Sequence, residues 1–371
     1  MGRCKRCGKE SITISNLIGY CAECIRAFES IPKELMGIHI STRRKFNVSY
    51  LSGLKGRFKC NICLNNCSLG KEVSGLCGNY IYDEGFKSVL GSFDLAYGSW
   101  YYDPHPTNCV AFPVCPAITG LGYPKYSLRP NGEVGYYNLA VFYATCSLNC
   151  LFCQNWYGRI EAIRTSQIIA VDELVNAALN DKVTCICYFG GDPTPNVIHA
   201  MRASRETLNK VRGRVLRICW ETNGTVNPSI MREMARISLE SGGIVKIDLK
   251  AWTPQVYEVL TGVNAAERVM ENIKLVASMA DLRDSPPLLV VSILLVPGYV
   301  DEFEVSNIAE FISSVNPEIP VVLLAFHPHF MLNDLPRTSR DHMYKAIKIM
   351  REHGIKHVYV GNEWLLGNDY S

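Results

Sequence analysis

A chain of 371 residues with 48% apolar side chains can bury one large core with an appendage, or two cores. Its 38 basic and 35 acidic residues leave a net charge of +3, too little to argue for a nucleic-acid partner on charge alone. With 16 cysteines at metal spacings and no secretory leader over residues 1–30, a secreted disulfide scaffold is excluded and a reducing, cytoplasmic setting expected; the longest apolar run, near 288–296, is too short for membrane insertion.

Segment 1–27 carries Cys4-x2-Cys7 and Cys21-x2-Cys24, two short hooks joined by a hairpin-length loop. This is zinc-knuckle spacing, in which four thiolates close a tetrahedral, structural site. Residues 28–57 read as a linker, helical or irregular, with Arg43-Arg44-Lys45 as solvated basic surface. A cysteine-rich, loop-dominated lobe is expected over 58–135. It holds Cys60-x2-Cys63-x3-Cys67-x9-Cys77, four thiolates that suit zinc or an auxiliary iron–sulfur cluster, and spacing does not decide between them. Cys109 and Cys115 fit further ligands and core equally well, and the aromatic runs around Tyr101 and Tyr136 fit packing of the lobe.

From 136 to 371, apolar strands alternate with amphipathic helices, expected over 171–179, 196–211, 228–241, 265–279, 302–315 and 339–353. Alternation at this spacing implies parallel strands with crossover helices, in six or seven units, short of the eight of a closed barrel. A strand at 138–142 leads into Cys146, Cys150 and Cys153. Three thiolates within eight residues suit a cluster metal better than a disulfide pattern. On a four-iron cube they leave one iron open, and an open position is where chemistry happens. Cys185, Cys187 and Cys219, which lie in strands, are read as small buried apolar thiols.

Further motifs end the later strands in register: Gly190-Gly191-Asp192-Pro193, Glu221-Thr222-Asn223-Gly224, Lys246-Ile247-Asp248-Leu249-Lys250, Val296-Pro297-Gly298, Phe326-His327-Pro328-His329 and Tyr359-Val360-Gly361-Asn362. Together with the cysteine triplet they resemble the radical S-adenosylmethionine superfamily. Within it, the order is similar to the pyruvate formate-lyase activating enzymes and, more closely, to their AmmeMemoRadiSam relatives, which also carry the run Cys153-Gln154-Asn155-Trp156. The resemblance covers residues 58–366 and implies an α/β fold: a partial (β/α)6-7 TIM-like barrel with a Cys-rich N-terminal extension. It implies that Cys146, Cys150 and Cys153 bind a [4Fe-4S] cluster whose fourth iron takes the methionine part of S-adenosyl-L-methionine. Reductive cleavage then yields a 5′-deoxyadenosyl radical that abstracts hydrogen from a substrate. Gly190, Gly191, Asp192 and Asn223 would surround the methionine group. Glu221, Thr222 and Asp248 stand where the activating enzymes hold a monovalent cation, with Glu221 replacing an aspartate. Lys250 matches a lysine that contacts S-adenosylmethionine, His327 a histidine near the ribose, and His329 is a substrate-side candidate.

The function expected is therefore that of a radical S-adenosylmethionine enzyme fed by an electron donor such as ferredoxin or flavodoxin. Its substrate is a small molecule or a protein, and one branch is an activase that takes hydrogen from a glycine in a partner enzyme. The alternative is a metal-bearing binding or electron-transfer protein with an RNA- or protein-binding zinc knuckle. That reading predicts loss of the open iron site or of the methionine-binding glycines, and both are present. A nucleic-acid module led by the knuckle would bind RNA or DNA in a salt-dependent way.

Overall fold

The computed structural model describes residues 1–45, 56–107, 109–158, 165 and 167–371. Three short antiparallel pairs come first: β1 (Gly2–Arg3) with β2 (Glu10–Ser11), β3 (Phe58–Lys59) with β4 (Ser68–Leu69), and β5 (Tyr80–Tyr82) with β6 (Phe86–Ser88). Next come β7 (Leu95–Pro104), β8 (Tyr137–Tyr143), β9 (Ile168–Ala170), β10 (Val183–Gly190) and β11 (Arg217–Thr222). The last are β12 (Val245–Asp248), β13 (Leu289–Leu295), β14 (Val321–Ala325) and β15 (Val358–Gly361). From β7 onward they form one nine-stranded sheet in the order β15-β14-β13-β12-β11-β10-β8-β7-β9. β8 and β10 to β15 are parallel and adjacent in chain order, which is a (β/α) barrel left open along one side.

Helices cross over between these strands at Val171–Ala178, Val197–Lys210, Pro228–Ser241, Ala266–Ala277, Glu302–Val315 and Arg340–Glu352. Their starts are chemically marked. The Asn227 side chain accepts from Ser229 N (3.1 Å) ahead of Pro228, Asp301 from Glu304 N (3.2 Å), and Ser339 from His342 N (3.0 Å). The partial barrel expected from the sequence is the fold. No helix among the described residues is long and apolar enough to cross a membrane.

Two elements depart from expectation. β7, inside the segment expected to be loop-dominated, pairs antiparallel with β8 from Gly98 opposite Tyr143 to Pro104 opposite Tyr137, and its first three residues pair with β9. A helix at Pro254–Thr261 precedes Ala266–Ala277. The linker, expected to be helical or irregular, holds a helix at Lys33–Lys45, and 46–55 lie outside the described residues.

Side chains alternate between the two faces of the sheet. Ile186, Tyr188, Ile218, Trp220, Ile247 and Ile293 face the helices in the main core, where Tyr188 stacks on Trp220 at 4.8 Å. Cys185, Cys187, Cys219, Val290 and Val322 face inward. They meet Ala111 and Val114 from the segment around 109–119, which enters the barrel and fills its floor. Below that floor the Arg217 guanidinium donates twice to Glu133, Nη1 to Oε1 at 2.8 Å and Nη2 to Oε2 at 2.6 Å, and also to Thr184 Oγ1 at 2.9 Å. Both side chains are buried, 1% and 0% exposed. Burial alone would push the Glu133 carboxyl up, but the Arg217 bonds and charge hold it down to about 2.

A buried pair broken on one side leaves an uncompensated charge, so Glu133→Gln is expected to lower unfolding free energy by about 3–5 kcal/mol, read from the denaturation midpoint. Because the folded-state carboxyl titrates below its ordinary value, the pair's contribution is present above pH 4.5 and is lost as pH falls from there toward 2. An unchanged midpoint for the variant would remove the pair from the list of what holds the barrel base.

Candidate active site

Since the parallel strands all run one way, their C-terminal ends meet on one rim, and there a cavity of about 240 Å³ opens. Its lining includes all three thiols of the loop after β8, the glycine pair after β10, and the charged ends of β11 and β12.

Cys146 is buried, and Cys150 and Cys153 are half-buried. Leu148 N donates to Cys146 Sγ at 3.4 Å, and Asn223 Nδ2 lies 3.6 Å from the same sulfur. Such donors suit a sulfur that carries negative charge on a metal. The loop is braced from behind. Asn149 N donates to Thr261 O (2.8 Å) and Leu151 N to Leu260 O (2.9 Å). His39, from the helix Lys33–Lys45, inserts its imidazole between the loop and Val259. Nε2 donates to Val259 O at 3.0 Å, and Nδ1 receives the Asn149 side-chain amide at 3.3 Å. Burial depresses this imidazole to about 4, so it stays neutral near pH 7. The buried Tyr257 hydroxyl has no hydrogen-bond partner among the described residues. Burial first, then the negative charge of Cys150, Asp248, Asp192 and Cys146, pushes its ionisation well up, so it stays a neutral donor. Three thiols, inward donors and an orphaned hydroxyl fit a cluster with a chelated ligand.

Gly190 has φ +99°, and a Cβ there would lie 2.7 Å from Phe142 Cα; at Gly191 it would lie 2.3 Å from Thr145 O. Both glycines are therefore required for packing against the base of the cysteine loop, and the same bareness exposes backbone to the cavity. Asp192 is buried, with Oδ1 accepting from Thr194 N (2.8 Å) and Oδ2 from Asn223 N (2.6 Å); the Thr222 hydroxyl is 3.3 Å from Oδ1. Burial pushes its carboxyl up against the pull of these donors. The residue ties the β10 and β11 loops together. Asn155 Nδ2 donates to Gly190 O (2.7 Å), and Trp156 Nε1 to His329 Nε2 (3.0 Å), so the run after Cys153 clips the loop to two strand ends.

On β12 and just past its end, Lys246, Asp248 and Lys250 recur every second residue, and all three line the cavity. Lys246 was not among the expected site residues, though this period-two run of charges signals it. Its Nζ lies 2.8 Å from Asp248 Oδ1 and 3.3 Å from Glu221 Oε2, and Lys250 Nζ lies 2.8 Å from Asp248 Oδ2. Burial opposes both ammonium charges, but Asp248 outweighs it and raises both, helped by Glu221 at Lys246 and by Cys150 at Lys250. Glu221 Oε1 accepts from Val110 N at 3.2 Å and from the Cys109 thiol at 3.4 Å, and the Ser292 hydroxyl donates to Asp248 Oδ1. The expected monovalent-cation site is thus at odds with the geometry. Thr222 turns to Asp192, and an ammonium stands between Glu221 and Asp248. A second cation about 4 Å from that ammonium would be repelled by roughly 4 kcal/mol at an effective dielectric constant of about 20. His327 is exposed on the rim, 6.4 Å ring to ring from His329, and does not line this cavity.

Cys4, Cys7, Cys21 and Cys24 bring their sulfurs within 4.8 Å of one another, the one such group of three or more among the described residues. Burial pushes the Cys4 thiol up, but the backbone N–H groups of Cys7, Cys21 and Arg6 outweigh it and hold it down to about 6. The second quartet is less tightly gathered: Cys60 and Cys67 are buried, Cys63 and Cys77 half-buried, and burial pushes Cys77 up to about 12. Its segment lies against the site, with Asn65 Nδ2 donating to Ser147 O at 2.7 Å. Cys115 is buried, and Cys109 sits at Glu221.

Residues 140–312 match the family model described as Radical SAM superfamily. An uncharacterized protein of Methanocaldococcus jannaschii is 24% identical over 315 residues, covering 82% of this chain and 81% of that relative. A probable GTP 3′,8-cyclase of Thermococcus kodakarensis is 25% identical over 129 residues, covering 35% and 39% respectively. A solved radical SAM methyltransferase from Sphaerobacter thermophilus covers 78% of both chains at 15% identity, with a TM-score of 0.47. The matched span begins within β8 and ends within the helix after β13, so the part of the chain that is similar to the radical SAM superfamily takes in the cysteine loop and the charged ends of β11 and β12.

Proposed function

We propose that Cys146, Cys150 and Cys153 hold three irons of a [4Fe-4S] cluster and that the cavity beside them takes S-adenosylmethionine on the fourth. The observation that carries this reading is that the three thiols line one cavity with Gly190, Gly191, Asp192 and Lys250. When bound, cluster and cofactor supply a reductively generated 5′-deoxyadenosyl radical that takes a hydrogen atom from the substrate. The chain's own part is placement. Backbone at Gly190 and Gly191 receives the methionine ammonium, Lys250 offers its charge to the carboxylate, and Asp192 positions the glycine turn against β11. His327, on the rim, is assigned to the ribose side.

The hydrogen donor is placed in a second recess of about 250 Å³, bounded by Pro106, Phe112, Ile118 and Trp364. It shares Val110, Leu324 and Asn362 with the cofactor cavity. A recess of this kind admits a small molecule or one residue of a protein, so both the stand-alone and the activase branch are served by it. The electron donor is of ferredoxin or flavodoxin type, in a reducing, cytoplasmic setting. Cys4, Cys7, Cys21 and Cys24 are assigned to structural zinc, and Cys60, Cys63, Cys67 and Cys77 to zinc or an auxiliary cluster. The proposed organisation remains 1–27, 28–57, 58–135 and 136–371, with β7 and the floor segment lending themselves to the barrel.

Anaerobically reconstituted, dithionite-reduced protein is expected to convert S-adenosylmethionine to 5′-deoxyadenosine, and Cys150→Ala to abolish this, measured by chromatography. Equal conversion by a protein with all three loop cysteines changed to Ala would end the assignment. Separately, Cys7→Ala is expected to lose one zinc per chain by elemental analysis and to lower the melting temperature, while the iron bound at the barrel rim is retained; unchanged zinc content would remove the knuckle assignment.

A further inference from the structure

We propose that the Lys246 ammonium is a built-in counterion for the carboxylate of S-adenosylmethionine, so that this enzyme needs neither sodium nor potassium at its cofactor site. The inference rests on the reading of the cavity just given and concerns how its charge is balanced.

Position comes first. Lys246 is 5% exposed, projects from a strand in the middle of the sheet, and lines the cavity on which the cysteine loop also opens. Its Nζ sits between two carboxylates, 3.3 Å from Glu221 and 2.8 Å from Asp248. An ammonium carries three N–H donors. Two are taken by these carboxylates, and a third serves an incoming carboxylate in the cavity.

Donor accounting points the same way. A bound alkali cation needs several oxygen ligands with lone pairs to offer. Glu221 already receives Val110 N, the Cys109 thiol and Lys246; Asp248 receives Lys246, Lys250 and Ser292. The Thr222 hydroxyl is engaged with Asp192. Three of the roughly four acceptor sites on each carboxylate already receive the protein's own donors, which leaves few for an alkali cation. Charge accounting agrees, because two half-buried carboxylates here face two ammonium groups, the buried Lys246 and the half-buried Lys250. The cavity therefore carries no excess negative charge of its own that would call for an ion from solvent.

The test uses reconstituted holoenzyme, dialysed anaerobically into choline chloride free of sodium and potassium. S-adenosylmethionine affinity is measured by equilibrium dialysis in choline, sodium and potassium, with iron content as the check that the cluster is intact. The parent protein is expected to bind equally in all three salts. Lys246→Met keeps the stem but not the charge. With its iron content unchanged, it is expected to bind about tenfold or more weakly in choline, since a hydrogen bond to a charged group is lost, and to regain affinity when potassium is added. A parent protein that binds about tenfold more weakly in choline than in potassium overturns the counterion proposal and leaves the reading of the cavity standing. Variant affinity equal to that of the parent in choline also overturns it. Failure to bind in every salt overturns both.

Discussion

A parallel strand has no freedom in where its two ends go: every C-terminus arrives at the same rim, and every second side chain points inward. That constraint organises this molecule. Climbing the inner face, Cys219 gives way to Glu221 on β11, and Ile244 to Lys246 and Asp248 along β12. The apolar floor made with Ala111 and Val114, and the Arg217–Glu133 pair beneath it, keep water from below. Charges set on a dry floor interact more strongly than they would in solvent, whether favourably paired or not. A largely enclosed set of two acids and two amines is tolerable there because each is bonded to an opposite.

Much of this was legible in the sequence, and the reasons are local. The helices at 228–241 and 302–315 match expectation to the residue, because Asn227-Pro228 and Asp301 are strong start signals in front of amphipathic runs. Strands such as Val321–Ala325 are short, uniformly apolar and bounded by polar turns. β7 was not legible. It is aromatic and half-exposed, contains glycine, and owes its existence to a partner strand that begins 33 residues after it ends, at Tyr137. The floor segment was hidden for a related reason, since nothing in its composition tells that a barrel will close around it.

Among site residues, the thiols and glycines announced themselves by spacing, as chemistry with a fixed geometry does. Partnerships did not. The sequence places Glu221, Thr222 and Asp248 at plausible positions for one common ion, yet the hydroxyl of Thr222 belongs to Asp192, and Lys246 arrives between the two acids. Side-chain direction on a strand can be read from parity alone, and parity does put Lys246 beside Asp248. What parity cannot give is reach: a four-carbon stem spans to the neighbouring strand. Nor could any pattern have linked His39 to Asn149, which are 110 residues apart.

That last contact changes how the N-terminal part of the chain is to be regarded. The knuckle is fastened to the loop after β13 by Arg26 on Asp301 (2.8 Å) and by the Tyr299 hydroxyl on Tyr20 O (3.1 Å), and the helix after it delivers an uncharged imidazole under the cysteine loop. The cysteine loop is thus propped by a strut drawn from outside the barrel. Exchanging the N-terminal segment for another would therefore also take away the imidazole that braces the cysteine loop, so the two parts stand or fall together.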